Sequence, residues 1–461
     1  MKTGVVRQNI SNETGFRIDP SFHLSEALQI QSDLRNSPYP LCTVADVSEK
    51  IFIGNIFSRN FVSKPDHGVP YLAASDTVLS NIDTGRFLSK NQAKQLSYLI
   101  LKKDWILVTC SGTLGNVTYT NAVFENHIAT HDLIRIIPSN QLIRSGVLYA
   151  FLASKYGYYQ LTQSKFGGVV KHINSNQAGS VCVPVFSSSF QEEVHQLVIN
   201  AATLREEAAS KLEEAKQVLI DFIDIPFLRK SGFKTAIKSS KDIIKSLKLR
   251  FDPPVHVYDS VSIFNTLRDK CVSLGDCNVK IWYPGMFKRV FVDNNNGFPY
   301  IQGSSVFERN PFKNCDYLSK TKTPKLSDLW LNCGLILISC AGLCGQVKLI
   351  TKEYEDHHAI GSPDIIRLQS DDSLFTTGYL FTYLQLPIVY DYMQSLKYGS
   401  VIERFDVPNV ASIPVIKPTQ ELSDQISSFI DQYSELIYSS FCKEQEAISM
   451  VENEIEKWTR N

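Results

Sequence analysis

The sequence has no surplus of charge: Lys plus Arg and Asp plus Glu are both 47 in 461 residues. Net charge therefore leaves no footprint for nucleic acid, and such binding would need a local basic face. The opening MKTGVVRQNI lacks the apolar core of a signal peptide. The longest apolar run, Leu335 to Cys344, is too short to cross a bilayer. Ten cysteines are present without regular spacings, and with no export signal they read as reduced thiols. These absences lead us to expect a cytoplasmic protein with no membrane contact. No G-x-x-x-x-G-K phosphate loop, no G-x-S-x-G nucleophile elbow and no cluster of nuclease carboxylates occurs. Together they favour a chain with no catalytic residues and no metal of its own.

Proline and glycine are missing from one long stretch, Phe190 to Phe222. Its apolar residues fall at Val194, Leu197, Ala201, Leu204, Ala208, Leu212, Ala215, Leu219 and Phe222. Steps of three and four throughout are the seam of a coiled coil. Polar residues fill the other faces, so the narrow stripe needs a partner. Gln420 to Trp458 supplies one, with Ile426, Ile430, Tyr433, Ile437, Phe441, Ile448, Val451, Ile455 and Trp458 along one face. Each helix follows a globular stretch of similar size. The composition, 43% hydrophobic and 20% charged, is that of ordinary globular domains, and the length allows two to four of them.

The two globular stretches repeat one another. Arg17-Ile18-Asp19-Pro20, with His23 behind, returns as Arg250-Phe251-Asp252-Pro253, with His256 behind. Gly68-Val69-Pro70-Tyr71-Leu72 matches Gly297-Phe298-Pro299-Tyr300-Ile301. Cys110, Gly112 and Gly115 fall over Cys340, Gly342 and Gly345, and Asp132 and Arg135 over Asp364 and Arg367. Phe166-Gly167-Gly168-Val169-Val170 matches Tyr398-Gly399-Ser400-Val401-Ile402, and Val183-Pro184-Val185 matches Ile413-Pro414-Val415. So many ordered matches indicate a duplication.

Local pattern then predicts elements. Ile106–Cys110 and Leu335–Cys340 read as buried strands ended by Gly-bearing turns. Leu133–Ile137 and Ile365–Leu368 read as strands, and Leu148–Gln163 and Leu380–Gln394 as helices packed on them. The fold class is α+β, with two repeated mixed α/β domains separated by two long helices. Duplication implies a pseudo-two-fold axis, antiparallel helices and a dumbbell with a helical rod. Between the halves, Pro226–Arg250 carries eight basic residues and one acid. Lys234, Lys238, Lys241, Lys245 and Lys248 line one helical face, either a solvated linker or a phosphate contact.

Three constellations invite chemistry. Asp252-Pro253-Pro254-Val255 looks like the D-P-P-aromatic word of amino-methyltransferases, but Val255 stands where an aromatic must stack on an extruded base. Cys333, Cys340, Cys344, His357 and His358 could be read as a zinc site. Their spacings hold no CxxC pair, and the first copy has Leu114 at the place of Cys344, so they read as small buried hydrophobes. The paired aromatic-Gly elements with nearby Lys165, Lys171, His172, Lys397 and Arg404 could bring backbone and cations to phosphate or guanine edges. The alternative there is a plain turn joining helix to strand.

The order of these words resembles the specificity subunit of type I restriction–modification systems, over about residues 15–458. It rests on R-[IF]-D-P, on ILVTCSGTLG with its copy LILISCAGLCG, on [FY]-G-[GS]-V-[VI], on [VI]-P-V, and on the helix beginning QEE or QEL. The resemblance implies target recognition domains at 15–187 and 248–416, rod helices at 190–224 and 419–458, and a basic linker at 225–247. Each domain would read half of a bipartite site in double-stranded DNA. Expected DNA-binding residues are Lys165, Lys171, His172, Lys397 and Arg404, with Ser111, Thr113 and Asn116 of the first turn. Ala341 replaces Ser111 in the second copy, so that hydroxyl has no role common to both halves. Expected rod and partner-docking residues are Leu197, Leu204, Leu212, Leu219, Ile430, Ile437, Ile448 and Ile455. The implied partners are two methyltransferase subunits and, in a restricting system, two restriction subunits. These would hold the cofactors S-adenosylmethionine, ATP and Mg2+, leaving this chain non-catalytic. The rival readings are a methyltransferase or nuclease with its own active site, and a coiled-coil adaptor with no DNA role.

Overall fold

The computed structural model describes residues 26–112, 114–163, 172–223, 237, 239–245, 249–342, 344–399 and 401–458. Helices and sheets are mixed, and the chain divides into two compact units, Met1–Glu206 with Ser439–Asn461, and Glu207–Tyr438.

In the first unit, β1 (Leu41–Thr43) pairs with β10 (Cys182–Pro184). One four-stranded sheet has the order β2 (Ser48–Phe52), β9 (Leu133–Pro138), β6 (Ile106–Thr109), β7 (Val117–Tyr119). A second has the order β3 (Phe61–Val62), β5 (Phe87–Ser89), β4 (Gly68–Leu72), β8 (Ile128–Ala129), the last pair parallel. The apolar run of β6 is explained by burial on both faces. Ile106 and Val108 join the core under the helices, while Leu107 joins Trp105 and Leu133 on the other side.

The second unit runs through the same orders. β11 (Cys271–Ser273) pairs with β20 (Pro414–Ile416). One sheet is β12 (Val279–Trp282), β19 (Ile365–Ser370), β16 (Ile336–Ser339), β17 (Val347–Leu349). The other is β13 (Phe291–Val292), β15 (Asp316–Ser319), β14 (Gly297–Ile301), β18 (Ile360–Gly361), again ending in a parallel pair.

Leu148–Gln163 is not one helix. It is α1 (Ser145–Ala153) and α2 (Lys155–Gln163), broken at Ser154, whose backbone is extended. The Ser154 hydroxyl accepts from the Gly157 N–H at 3.4 Å, as a helix N-cap does. After these, α3 spans Ser188–Ile223. The second unit breaks its helix at the same place by other means. α4 (Thr377–Leu384) ends, and Pro387 opens α5 (Pro387–Leu396) at the position where a missing N–H costs nothing. The last helix, α6, spans Gln420–Lys457.

Each long helix gives one half to each unit. In the first, Val194, Val198 and Ala202 of α3 share a core with Ala447, Val451 and Ile455 of α6. In the second, Ala208, Leu212, Ala215 and Leu219 share one with Leu422, Ile426, Ile430 and Tyr433. Leu212, Leu219, Ile430 and Ile455 are buried, whereas Leu197, Leu204, Ile437 and Ile448 are half-buried. The start of α1 approaches α3 closely: a Cβ on Gly146 would lie 2.9 Å from the His195 Cα. Gly378 at the start of α4 meets Ser427 of α6 in the same way, at 2.8 Å. Among the described residues no helix is long and apolar enough to cross a membrane.

Candidate nucleic-acid interface

The Gly-bearing turns are closed hairpins between β6 and β7 and between β16 and β17. In the first, Gly115 N–H donates to the Thr109 carbonyl at 3.0 Å and Asn116 N–H to the Thr109 hydroxyl at 3.1 Å. In the second, Gly345 N–H donates to the Ser339 carbonyl at 2.8 Å and Gln346 N–H to the Ser339 hydroxyl at 2.8 Å. Gly115 and Gly345 have φ of 77° and 92°, the left-handed region that favours glycine. A side chain there would also strike Thr162 or Gln394 of the neighbouring helix.

These turns meet the aromatic-Gly elements. Ser111 bridges to His172, and Ala341 to Arg404. Ser111 and His172 thus come together in the first unit, while Asn116, half-buried, is tied to Thr109 at the foot of the turn. Thr113, Lys165 and Lys171 lie outside the described residues, as do Phe166–Val170 and Ser400. In the second unit Tyr398 and Arg404 exchange backbone hydrogen bonds of 2.9 Å in each direction. Arg404 is exposed, and Val401 and Ile402 stand out into solvent beside it. Lys397 is different: its ammonium is ion-paired to Glu403 and its side chain is only 18% exposed. It supplies less free charge than its sequence position suggests.

An aspartate sits below each turn. Asp132 accepts from the Ser111 hydroxyl and, at 3.1 Å, from the Cys110 thiol. Burial, then this carboxylate, pushes the Cys110 thiol up to about 12. Asp364 accepts from the Tyr283 hydroxyl at 3.2 Å and from Arg289 at 3.4 Å. The loop bearing each aspartate is held by a buried arginine. Arg135 donates to the carbonyls of Ala129, Thr130 and Leu133, and Arg367 to those of Gly361, Ser362 and Ile365, all at 2.8–3.2 Å. Both guanidinium groups are fully buried, and burial lowers each to about 10. Sequence alignment marked these positions but not their burial.

Residues the sequence reading passed over flank the same place. Ile56-Phe57-Ser58-Arg59-Asn60-Phe61-Val62 corresponds to Met286-Phe287-Lys288-Arg289-Val290-Phe291-Val292. Arg59 and Arg289 lie over the rings of Tyr71 and Tyr300, 5.8 and 5.5 Å from their centres. Lys50 and Lys280, both exposed, lie 4.7 Å over Phe52 and Trp282. The recurrence of [IM]-F-x-R-x-F-V was the available signal.

The other constellations have local structural roles. Arg250 is ion-paired to Asp252 and donates to the carbonyls of Leu396 and Lys397 at 2.7 and 2.6 Å, capping the end of α5. That guanidinium holds the Asp252 carboxyl below its usual range. The matching Arg17–Pro20 lies outside the described residues, as do Lys234, Lys238 and Lys248 of the linker. The Cys340 and Cys344 thiols donate to the carbonyls of Asp364 and Glu403, each at 3.3 Å, and burial pushes Cys340 up to about 11. Cys333 is exposed, and the His357 ring stacks on Phe312 with centres 4.2 Å apart. Among the described residues no group of three or more His, Cys, Asp or Glu is placed to hold a metal.

Residues 37–185 match the family model described as type I restriction modification DNA specificity domain. That span takes in β1 to β10 and the first turn. Residues 37–185 are thus similar to a type I restriction modification DNA specificity domain. No curated protein matches the sequence. Among solved structures it is similar to the type I restriction–modification S subunit from M. genitalium. Identity is 12%, 89% of this chain and 95% of that one are covered, and the TM-score is 0.35. It is also similar to the HsdS subunit from Thermoanaerobacter tengcongensis, at 13% identity, 92% and 97% coverage and a TM-score of 0.27. A chain described under complex assembly and conformational transition of the type I R-M system has 12% identity, the same coverages and a TM-score of 0.27.

Proposed function

We propose that this chain is the specificity subunit of a type I restriction–modification complex. Residues 15–187 and 248–416 act as two target recognition domains, each reading one half of a bipartite site in duplex DNA. The helices at 190–224 and 419–458 pair antiparallel about a pseudo-two-fold axis and set the distance between the half-sites. Leu197, Leu204, Leu212, Leu219, Ile430, Ile437, Ile448 and Ile455 form the seam, and the rod docks two methyltransferase subunits. Restriction subunits join where the system cleaves. The chain itself contributes no catalytic group. S-adenosylmethionine, ATP and Mg2+ belong to its partners, and the complex works in the cytoplasm.

The observation that carries this reading lies within the two units. Strand orders, hairpin hydroxyls, loop-holding arginines and Arg-on-Tyr pairs recur in both, while the exposed residues around them differ. One scaffold with two different surfaces is what reading two different half-sites requires. Methylome sequencing of cells with and without the gene tests it. A two-part methylated motif that disappears with the gene is expected. An unchanged methylome, or S-adenosylmethionine binding and methyl transfer by the purified chain alone, would sink it.

A further inference from the structure

The loops joining β2 to β3 and β12 to β13 are built alike, and each leaves part of its apolar surface outside the core. Each turns one aromatic inward: Phe57 packs against the core of Tyr71, Leu88 and Leu99, and Phe287 against that of Tyr300, Leu318 and Leu329. Each turns two apolar side chains outward. Ile56 is 86% exposed and Phe61 49%; Met286 is 66% exposed and Phe291 54%. The strands carrying Phe61 and Phe291 lie at the edges of their sheets. Between the outward residues sits the arginine. Tyr71, buried, has the Phe61 ring at 5.4 Å on one approach and the Arg59 guanidinium at 5.8 Å on another. Tyr300 has Phe291 at 6.4 Å and Arg289 at 5.5 Å.

Such a tip is costly to leave in water. Apolar area exposed on an edge strand invites association, and fixing an arginine on a ring costs side-chain entropy. Hydrogen bonds and ring contacts within each unit offset part of the arginine's cost, but Ile56, Phe61, Met286 and Phe291 stay exposed, and both units carry the arrangement. The occupant must offer apolar edges beside hydrogen-bond acceptors, and it must tolerate positive charge. Residues 53–62 and 283–292 contain Arg59, Lys288 and Arg289 and no acid. A DNA groove meets all three demands: thymine methyls are apolar, and guanine presents two acceptors to one guanidinium.

A phosphate contact suits the site less well. The Asp364 carboxylate stands 3.4 Å from Arg289, and a phosphate brought there would meet it. A base edge would not, because the amino groups of cytosine and adenine can donate to a carboxylate. In the first unit Arg59 is held by the Tyr71 hydroxyl at 2.6 Å and by Thr130 at 3.3 Å, so its fork is aimed before any ligand arrives.

We propose that these two loops are the base-reading tips of the two units. Arg59 with Ile56 and Phe61 reads one half-site, and Arg289 with Met286 and Phe291 reads the other. This rests on the specificity-subunit reading above and adds the residues that determine sequence.

The test uses the full chain assembled with its modification partners, with the methylated motif mapped for each variant. Ile56→Ser and Arg59→Ala are each expected to relax one or more base positions of one half-site and leave the other half intact. Met286→Ser and Arg289→Ala are expected to do the reverse. Loss of a bidentate base contact corresponds to about a tenfold to hundredfold loss of discrimination at that position. Ile56 and Met286 support no core, so a relaxed motif in the serine variants is not a folding defect. Variants that keep the wild-type motif and discrimination overturn the inference while leaving the subunit reading standing. So does an arginine variant that weakens binding to all sequences equally, which marks a phosphate contact, or a serine variant that loses a protein partner without changing the motif. A wild-type complex with no sequence-specific motif overturns both.

Discussion

Among the described residues Arg135 and Arg367 are two of the largest side chains with no exposed surface, and each closes a loop on its own backbone. A guanidinium has five donors in a fixed fork, so one residue can satisfy three carbonyls that would otherwise be buried unpaired. Arg135→Ala should destabilise the first unit by about 3 kcal/mol or more, since hydrogen bonds to a charged group are worth roughly 1.5–3 kcal/mol each. Urea unfolding would measure it. A loss under about 1 kcal/mol would show that the carbonyls find other donors. The position of this arginine was legible as a repeated residue, but its burial was not, because charged side chains are usually at the surface. The reading tips were missed for a related reason. Ile56 and Met286 lie in irregular loops, and a search for helical or alternating apolar patterns passes over them.

The long helices were the most legible elements. Their three-and-four spacing marked the stretches that α3 and α6 occupy. The break between α1 and α2 was not legible, because Ser154 interrupts the chain without a proline, whereas Pro387 marks the equivalent break openly. The apolar stripe also concealed a polar group. Glu444 of α6 is buried, and it accepts from Arg205 of α3 at 3.1 and 2.8 Å and from the Tyr149 hydroxyl at 2.6 Å. In the second unit the residue matching Tyr149 is Phe381, which packs against Tyr433 with ring centres 5.8 Å apart. The first unit therefore has a charged clasp where the second has an apolar one. Glu444→Ala should cost about 3 kcal/mol, because it strands a largely buried arginine. Replacing all three members together, as Arg205→Leu, Glu444→Leu and Tyr149→Phe, should recover most of that loss. Denaturant unfolding of the single and triple variants decides. If the triple variant is as unstable as Glu444→Ala, the clasp does more than satisfy its own charges.

If each unit reads one half-site, as proposed, something in the whole molecule must set how far apart the half-sites lie. On the proposed reading the paired helices do so. Adding one heptad to each helix, at matched heights, keeps the apolar seam in register. Seven residues lengthen a helix by about 10 Å at 1.5 Å per residue. With roughly 3.4 Å between base pairs, that is about three pairs. The spacer in the methylated motif should lengthen by up to that amount, with both half-sites unchanged in sequence. An insertion of two residues turns the stripe by about 200° at 3.6 residues per turn, so it should break the pairing and abolish methylation. The two variants differ by five residues per helix but by opposite effects on the seam, so a general intolerance of insertions cannot mimic the result. A heptad variant that folds, assembles and methylates with the original spacer would show that the half-site distance is set elsewhere.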